Sequence, residues 1–335
     1  MKETYKIAII GCGSISHSHV SAIQTGNLGE IVALCDTRED RIQGLLAKVP
    51  GAKTYTDYQV LLSETEANII HICTPHYLHA EMAIASMQAG KDVYLEKPAA
   101  MDYEQGMEIV RVSEKTGKKV CVSFQNRLIE SHLTLRKLID SGEYGKVLGL
   151  KGIVTWYRGG KYYTDSGWRG EWETEGGGTL MNQSIHTLDL LYYFGGPVER
   201  VEGSVALRKN KGTIHVEDTA EATIWFKNGA TAIFYATNCH VATNPIILEV
   251  VCEKASFSLR DNKLYKTMGK TTEVVAENSA LAVGKACWGN GHLKMIANFY
   301  DALQGKDAYY CDIQDGIEVL NIIQNIYNTS PMKLR

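Results

Sequence analysis

Four groups of residues in this sequence have the type and spacing to do chemistry. Gly11-Cys12-Gly13-Ser14-Ile15-Ser16 matches G-x-G-x-x-G except at its last position, and it directly follows the apolar run Tyr5–Ile10. The first two glycines permit a tight turn and a close approach of backbone to a pyrophosphate, whose charge a following helix N-terminus favours. The third position governs helix–strand packing, and Ser16 is small enough for it. Asp36 ends a second apolar run, Ile31–Cys35, twenty residues beyond Ser16. A carboxylate there either binds the ribose hydroxyls of an adenosine or caps the helix that starts near Arg38. Asp36, with Thr37 beside it, predicts NAD, because its charge repels a 2′-phosphate. Arg38 and Arg41 keep NADP open, since a guanidinium accepts that phosphate.

The second group is Glu96-Lys97-Pro98, which follows the strand-like run Asp92–Leu95. A lysine there is held at the C-terminal edge of a sheet, where open α/β sheets place their ligands. It can hydrogen-bond a reacting hydroxyl and stabilise the alkoxide that develops. Burial, and the positive charge of an oxidised nicotinamide, would both lower its pKa. Glu96 either orients Lys97 or caps the next segment.

The third group centres on His186, four residues after Asn182 in a stretch of helical period, Thr179–Phe194, so one helical face is expected to carry both. A hydroxyl that loses a hydride also loses a proton, and histidine is the side chain best tuned to take it near neutral pH. Asp189 either supports His186 or is a structural residue inside the helix. The fourth group is Arg127, expected to enter a cleft after the last strand of the first half, with Tyr157, Tyr163, Trp168, Arg169 and Trp172. Aromatic faces stack on the C–H faces of sugars, and Arg and Tyr hydrogen-bond hydroxyls. Loop packing or a subunit contact is the other reading of these residues. His17, His19, His76 and His79 have no Cys or carboxylate partner at metal-ligand spacing, so no metal is expected.

These groups need elements to position them. Tyr5–Ile10, Ile31–Cys35, Ile69–Cys73, Asp92–Leu95 and Lys119–Ser123 read as strands buried on both faces. Leu78–Ala89 and Tyr103–Thr116 read as helices, each followed directly by a glycine, Gly90 or Gly117. This alternation predicts a Rossmann-type, doubly wound parallel sheet over residues 1–123. The remainder, 124–335, reads as an α+β domain for substrate binding and oligomerisation, with an open, mainly antiparallel sheet. Its strands are Val147–Trp156, Val198–Ala206, Ala220–Phe226, Thr231–Asn238 and Ile246–Cys252. Asn228-Gly229 is a strong hairpin signal and Asp261-Asn262 a weaker one. Arg158–Gly178 reads as a long functional loop, and the terminal helices are expected to be able to pack back on the first domain.

The motifs also carry a resemblance. Thr74-Pro75-His76-Tyr77-Leu78-His79, then Ala89-Gly90-Lys91-Asp92-Val93, then Glu96-Lys97-Pro98 resemble the signature of the Gfo/Idh/MocA oxidoreductase family. The run from Gly176 to Asp189 is similar to that family's substrate-side helix, and the resemblance spans essentially the whole chain. It implies a catalytic lysine at Lys97, a general-base histidine at His186, and cofactor contacts from Thr74, Pro75, His79, Glu96 and Lys97. The acid that the family often has four residues before the histidine is here Asn182, which cannot orient an imidazole by charge or accept its proton. The implied activity is a dehydrogenase for a sugar, cyclitol or sugar derivative. Two alternatives remain: an NAD-dependent glycosidase working through transient oxidation and elimination, and a non-catalytic NAD(P)-binding sensor.

Bulk properties set bounds. The chain has 335 residues, 44% of them hydrophobic and 22% charged, with a net charge of −3. That size suits two domains with full hydrophobic cores. The charge excludes a polyanion-binding surface, so no nucleic-acid partner is expected, and no membrane partner either. The opening MKETYKIAII is strand-sized rather than signal-like, and the eight cysteines contain no C-x-x-C pair, so the cytoplasm is the expected compartment. Apolar residues on both faces of the C-terminal strands predict a homodimer or homotetramer.

Overall fold

The computed structural model describes residues 5–278 and 290–332; Cys287 lies outside them. By contacts the chain divides into two compact units, Met1–Gln125 with Leu281–Ile317, and Asn126–Ala280 with Glu318–Arg335.

The first unit alternates strand and helix. It runs β1 (Tyr5–Ile10), α1 (Ser16–Thr25), β2 (Gly29–Cys35), α2 (Glu39–Leu46), β3 (Lys53–Tyr55), α3 (Tyr58–Glu64) and β4 (Ile69–Ile72). Then come α4 (His79–Gln88), β5 (Asp92–Leu95), α5 (Tyr103–Thr116) and β6 (Val120–Val122). The strands pair in the order β3-β2-β1-β4-β5-β6, all parallel. Ile7–Ile10 and Ile69–Ile72 are buried throughout, as strands covered on both faces must be. From β1 the order runs outward to β3 on one side and from β4 to β6 on the other. A crevice therefore opens at the carboxyl ends of β1 and β4, the place where such sheets bind ligands. α5 shows why the sequence reading of its limits held: Asp102 accepts the Gln105 N–H at 2.9 Å, and Gly117 closes the helix at φ +68°.

The second unit begins with α6 (Glu130–Asp140), β7 (Val147–Thr155), α7 (Gly160–Thr164), α8 (Trp172–Glu175) and α9 (Ile185–Gly195). Seven strands follow: β8 (Val198–Ala206), β9 (Thr219–Phe226), β10 (Thr231–Thr237), β11 (Ile247–Cys252), β12 (Ser256–Arg260), β13 (Lys263–Met268) and β14 (Thr271–Glu277). Of the closing helices, α10 (Gly291–Leu303) packs on α1, α11 (Ile313–Gly316) lies against β6, and α12 (Glu318–Thr329) lies in the second unit against β8. The sheet order is β14-β13-β12-β11-β7-β10-β9-β8, antiparallel except where β7 meets β10. Asn228-Gly229 makes the β9–β10 turn. Asp261 and Asn262, at φ +51° and +61°, make the β12–β13 turn, both residues adopting the positive φ that a two-residue hairpin requires. α9 packs on β7 and β10, so the helices cover one sheet face. The expected pairing of a parallel doubly wound sheet with a mainly antiparallel one is what the structure shows.

Two local expectations are corrected. The helix expected over Thr179–Phe194 begins only at Ile185, and the stretch expected as a loop before it contains α7 and α8. Among the described residues, no helix is long and apolar enough to cross a membrane.

Candidate active site

The glycine loop is built by two different constraints. At Gly11, φ is +94° and a Cβ would sit 2.6 Å from the carbonyl carbon and oxygen of Cys73, so only glycine lets the chain leave β1 over the end of β4. At Gly13 a Cβ would meet nothing within 4 Å. Among the described residues no packing asks for glycine there, and the open space suits a ligand approaching the backbone, as a pyrophosphate does. Ser16, fully buried, donates its hydroxyl to the Gly13 carbonyl at 2.6 Å and so fastens the loop to the first turn of α1. Ser14 is exposed and Ile15 half-buried at that helix start.

Asp36 serves the same loop. Its Oδ2 accepts the Cys12 N–H at 2.8 Å and its Oδ1 the Arg38 N–H at 2.9 Å. The carboxylate thus lies beside the glycine loop and shapes the approach to α2, although α2 itself starts after Arg38 without a side-chain cap. Thr37 is exposed, and the Arg38 guanidinium pairs with Asp40 at 2.6 Å on the surface.

The loops after β4 and β5 are joined by His79. Its Nδ1 lies 2.6 Å from the Pro98 carbonyl and its Nε2 2.9 Å from that of Thr74. Burial pushes its pKa down while the two carbonyls pull it up, and the net direction is down. Thr74 and Pro75 are half-buried at the switch point. Lys97, half-buried, follows β5 and is joined to Pro98 by a cis peptide.

Glu96 differs from expectation. Rather than turning toward a cofactor or Lys97, its carboxylate accepts His19 Nε2 at 2.9 Å, with His292 Nε2 at 3.6 Å. His19 Nδ1 meets His71 Nδ1 at 2.8 Å, and His71 Nε2 meets the Tyr300 hydroxyl at 2.7 Å. Burial alone would raise the Glu96 pKa, but the hydrogen bond from His19 and the nearby His292 ring outweigh it and hold the acid well below its ordinary range. His19, Glu96 and His292 bring their ligand atoms within 4.8 Å of one another, so His19 has the carboxylate partner that sequence spacing did not reveal.

In the second unit His186 is the second residue of α9 and 9% exposed. Asn182 precedes that helix in a turn, so the shared helical face is corrected. The cause is Glu217, which accepts the Gly178 and Leu180 N–H groups at 2.9 Å each and holds the chain in a turn where helix was expected. Asn182 instead donates Nδ2 to Glu175 Oε1 at 2.6 Å. Burial raises the pKa values of Glu175 and Glu217 to about 7 each. Sequence reasoning missed both acids. The available signals were a glutamate directly before the glycine run and one inside the stretch Val216–Thr219.

The remaining candidates separate. Arg127, 1% exposed, pairs with Asp189, with Nη2 to Oδ1 at 2.5 Å, so the side chain expected to project into a cleft is buried in an ion pair inside the fold. Two buried charges neutralise each other, which keeps Arg127 inside and gives Asp189 the structural role that was one of its two expected readings. Tyr163 is also interior: 3% exposed, packed with Ile214 and Val216, its hydroxyl accepting from Asn238 at 3.1 Å. Trp172 donates its indole N–H to the His215 carbonyl at 2.9 Å, a packing role. Tyr157 is exposed, Trp168 half-buried, and the Arg169 guanidinium lies 4.5 Å from the Tyr162 ring centre and 4.9 Å from that of Trp168.

Two family models match the chain. "Oxidoreductase family, NAD-binding Rossmann fold" covers residues 5–124, and "GFO/IDH/MocA C-terminal domain" covers 132–258. D-glucoside 3-dehydrogenase of Escherichia coli (strain K12) is 27% identical over 97% of this chain and 95% of that protein. Inositol 2-dehydrogenase of Salmonella paratyphi B (strain ATCC BAA-1250 / SPB7) is 33% identical over 44% of this chain and 45% of that protein. Among solved structures, the WlbA dehydrogenase from Bordetella pertussis in complex with NADH and UDP-GlcNAcA superposes with a TM-score of 0.85. It is 28% identical, over 98% of this chain and 97% of that one.

Proposed function

The chain belongs to the Gfo/Idh/MocA oxidoreductase family, and from that premise we propose that it is an NAD-dependent dehydrogenase acting on a hydroxyl-bearing ring carbon of a sugar, cyclitol or sugar derivative. The observation that carries the reading lies within one sheet. Gly13 leaves an open cradle at the β1–β4 switch point, and Lys97 stands at the carboxyl end of the neighbouring strand, β5. Bound NAD⁺ supplies the hydride acceptor. Gly11 to Ile15 hold its pyrophosphate and Asp36 its adenosine ribose. Lys97 donates a hydrogen bond to the reacting oxygen and stabilises the alkoxide that develops. His186 takes the hydroxyl proton. Asn182, Tyr157, Trp168 and Arg169 orient the ring.

Support for this reading comes from the relatives: the proteins similar along nearly the full chain are named as acting on, or were crystallised with, sugar derivatives. The test is NAD reduction against sugars, cyclitols, sugar phosphates and nucleotide sugars, with Lys97→Ala and His186→Ala as controls. Turnover should fall about a hundredfold or more in His186→Ala, the contribution of a positioned general base. Lys97→Ala should cut turnover with NAD binding retained. Product formed without net NADH would sink the dehydrogenase reading in favour of transient oxidation.

A further inference from the structure

The turn between Gly176 and Ser184 hangs from two buried carboxylates. Glu217 holds one end through Gly178 and Leu180 and also accepts the Tyr327 hydroxyl at 2.9 Å. Glu175, fully buried as the last residue of α8, holds the other. Its Oε2 accepts the Gly170 N–H and its Oε1 the Asn182 Nδ2, each at 2.6 Å.

An amide nitrogen only donates and a carboxylate only accepts. The contact therefore decides which way round the Asn182 amide sits, with Nδ2 against Glu175 and Oδ1 turned from it. A flipped amide would set two oxygens with no hydrogen between them. We propose that Glu175 is a positioning residue that locks the Asn182 amide so that an acceptor faces the sugar, and that it supplies from one step back the acid this chain lacks at position 182. This rests on the dehydrogenase reading above. It also accounts for asparagine at 182. An aspartate there would place two carboxylates in contact, and one would have to keep a proton.

Two charged side chains act on Glu175 besides its burial and hydrogen bonds. Arg169 draws its pKa down, Glu217 pushes it up, and the Tyr163 hydroxyl lies in the same field. With burial dominant it titrates at about 7, so the lock weakens as pH falls through neutrality.

The swap of amide and acid makes the test. In Glu175→Gln, the new side-chain oxygen must serve the Gly170 N–H, leaving an NH₂ toward Asn182 and forcing its amide to flip. kcat/KM for the best sugar should fall by about tenfold or more, and the acidic limb of the pH profile near neutrality should move. Adding Asn182→Asp rebuilds the pair with the charge transposed, so Glu175→Gln with Asn182→Asp should recover most of the loss. A residue that merely fills space would show neither the rescue nor the moved limb. A second readout needs no activity: the Asn182 side-chain amide NMR signals should titrate with a midpoint near 7 and stop doing so in Glu175→Gln. Signals that stay fixed across neutrality, or a Glu175→Gln enzyme with unchanged kcat/KM and pH profile, overturn the proposal. A protein that oxidises no sugar overturns the dehydrogenase reading, while the NMR titration still decides whether Glu175 holds Asn182.

Discussion

Arg127 and Asp189 stand 62 residues apart in the chain and form a buried ion pair, with Nη2 2.5 Å from Oδ1 and both Asp189 oxygens within reach of Nε at 3.0 and 3.1 Å. Removing one partner leaves the other charge buried and unmatched. Asp189→Ala should cost about 3–5 kcal/mol of unfolding free energy, whereas Arg127→Met with Asp189→Leu should recover most of it. Urea midpoints measure both. A loss in Asp189→Ala below about 1 kcal/mol would mean that the pair behaves like a solvated one.

The two loop glycines should separate fold from function. Gly11→Ala drives a Cβ into the Cys73 carbonyl at a positive φ, so it should lower thermal stability. Gly13→Ala meets nothing within 4 Å among the described residues and should unfold at the wild-type temperature. It should nevertheless weaken NAD about tenfold or more, by holding the pyrophosphate off the backbone. Calorimetry and a fluorescence titration with NADH read the two effects. Equal NADH affinity in Gly13→Ala and wild type would remove the pyrophosphate from this loop.

Asp36 joins cofactor choice to loop shape. Asp36→Ala removes a ribose partner, a charge that repels a 2′-phosphate, and the acceptor for the Cys12 N–H. NAD affinity should fall far more than NADP affinity. The Arg38–Asp40 pair opposes any gain for NADP, because the guanidinium is already matched. Comparative titrations with both cofactors check this, and tighter NADP than NAD binding in the wild type contradicts it.

The legible part of this chain is the part whose signals are local. β1, β5, β8 and α5 fall on their expected limits, β1 and β5 because largely apolar runs mark them and α5 because its caps do. β3 and β12 to β14 escaped notice because they are short or polar, as in SFSLR, KLYKTM and TTEVVAE. Lys97, His186 and the glycine loop could be singled out as candidates from motif and position. Partnerships could not. Arg127 with Asp189, Asn182 with Glu175 and Glu96 with His19 are set by long-range packing or by a turn, and neither leaves a periodic trace. The late start of α9 has the same origin, since the acid that holds its leading turn, Glu217, lies 37 residues beyond Leu180.

The second sheet has a face that should hold another copy. On β10 and β11, Ile233, Tyr235, Ile247 and Val251 are 54%, 36%, 39% and 43% exposed, and Ile153 of β7 sits in register between Tyr235 and Ile247. The expectation of apolar residues on both faces fits β10, while β9 turns Glu221, Thr223 and Trp225 outward. Two copies joined about a two-fold axis would cover this patch. Sedimentation velocity should find a dimer or larger, and Ile233→Lys should shift it toward monomer. A wild-type monomer at micromolar concentration rejects the assembly.

Glu217 should leave its mark on stability against pH. Its folded pKa is raised from 4.5 to about 7, chiefly by burial, with the Gly178, Leu180 and Tyr327 hydrogen bonds pulling the other way. Between those values the folded protein holds a proton that the unfolded chain has released. Stability from this group is therefore full below about 4.5 and lost as pH rises through about 7. The change is on the order of 3 kcal/mol. Glu217→Gln has no charge to bury, so its stability relative to wild type should rise over that window by a similar amount, whatever it loses through altered hydrogen bonding. Tyr327→Phe removes a donor that favours the carboxylate, so the midpoint of the wild-type loss should move upward. Urea unfolding across the window measures all three proteins. Parallel stability curves for wild type and Glu217→Gln would show that this carboxyl is ionised throughout.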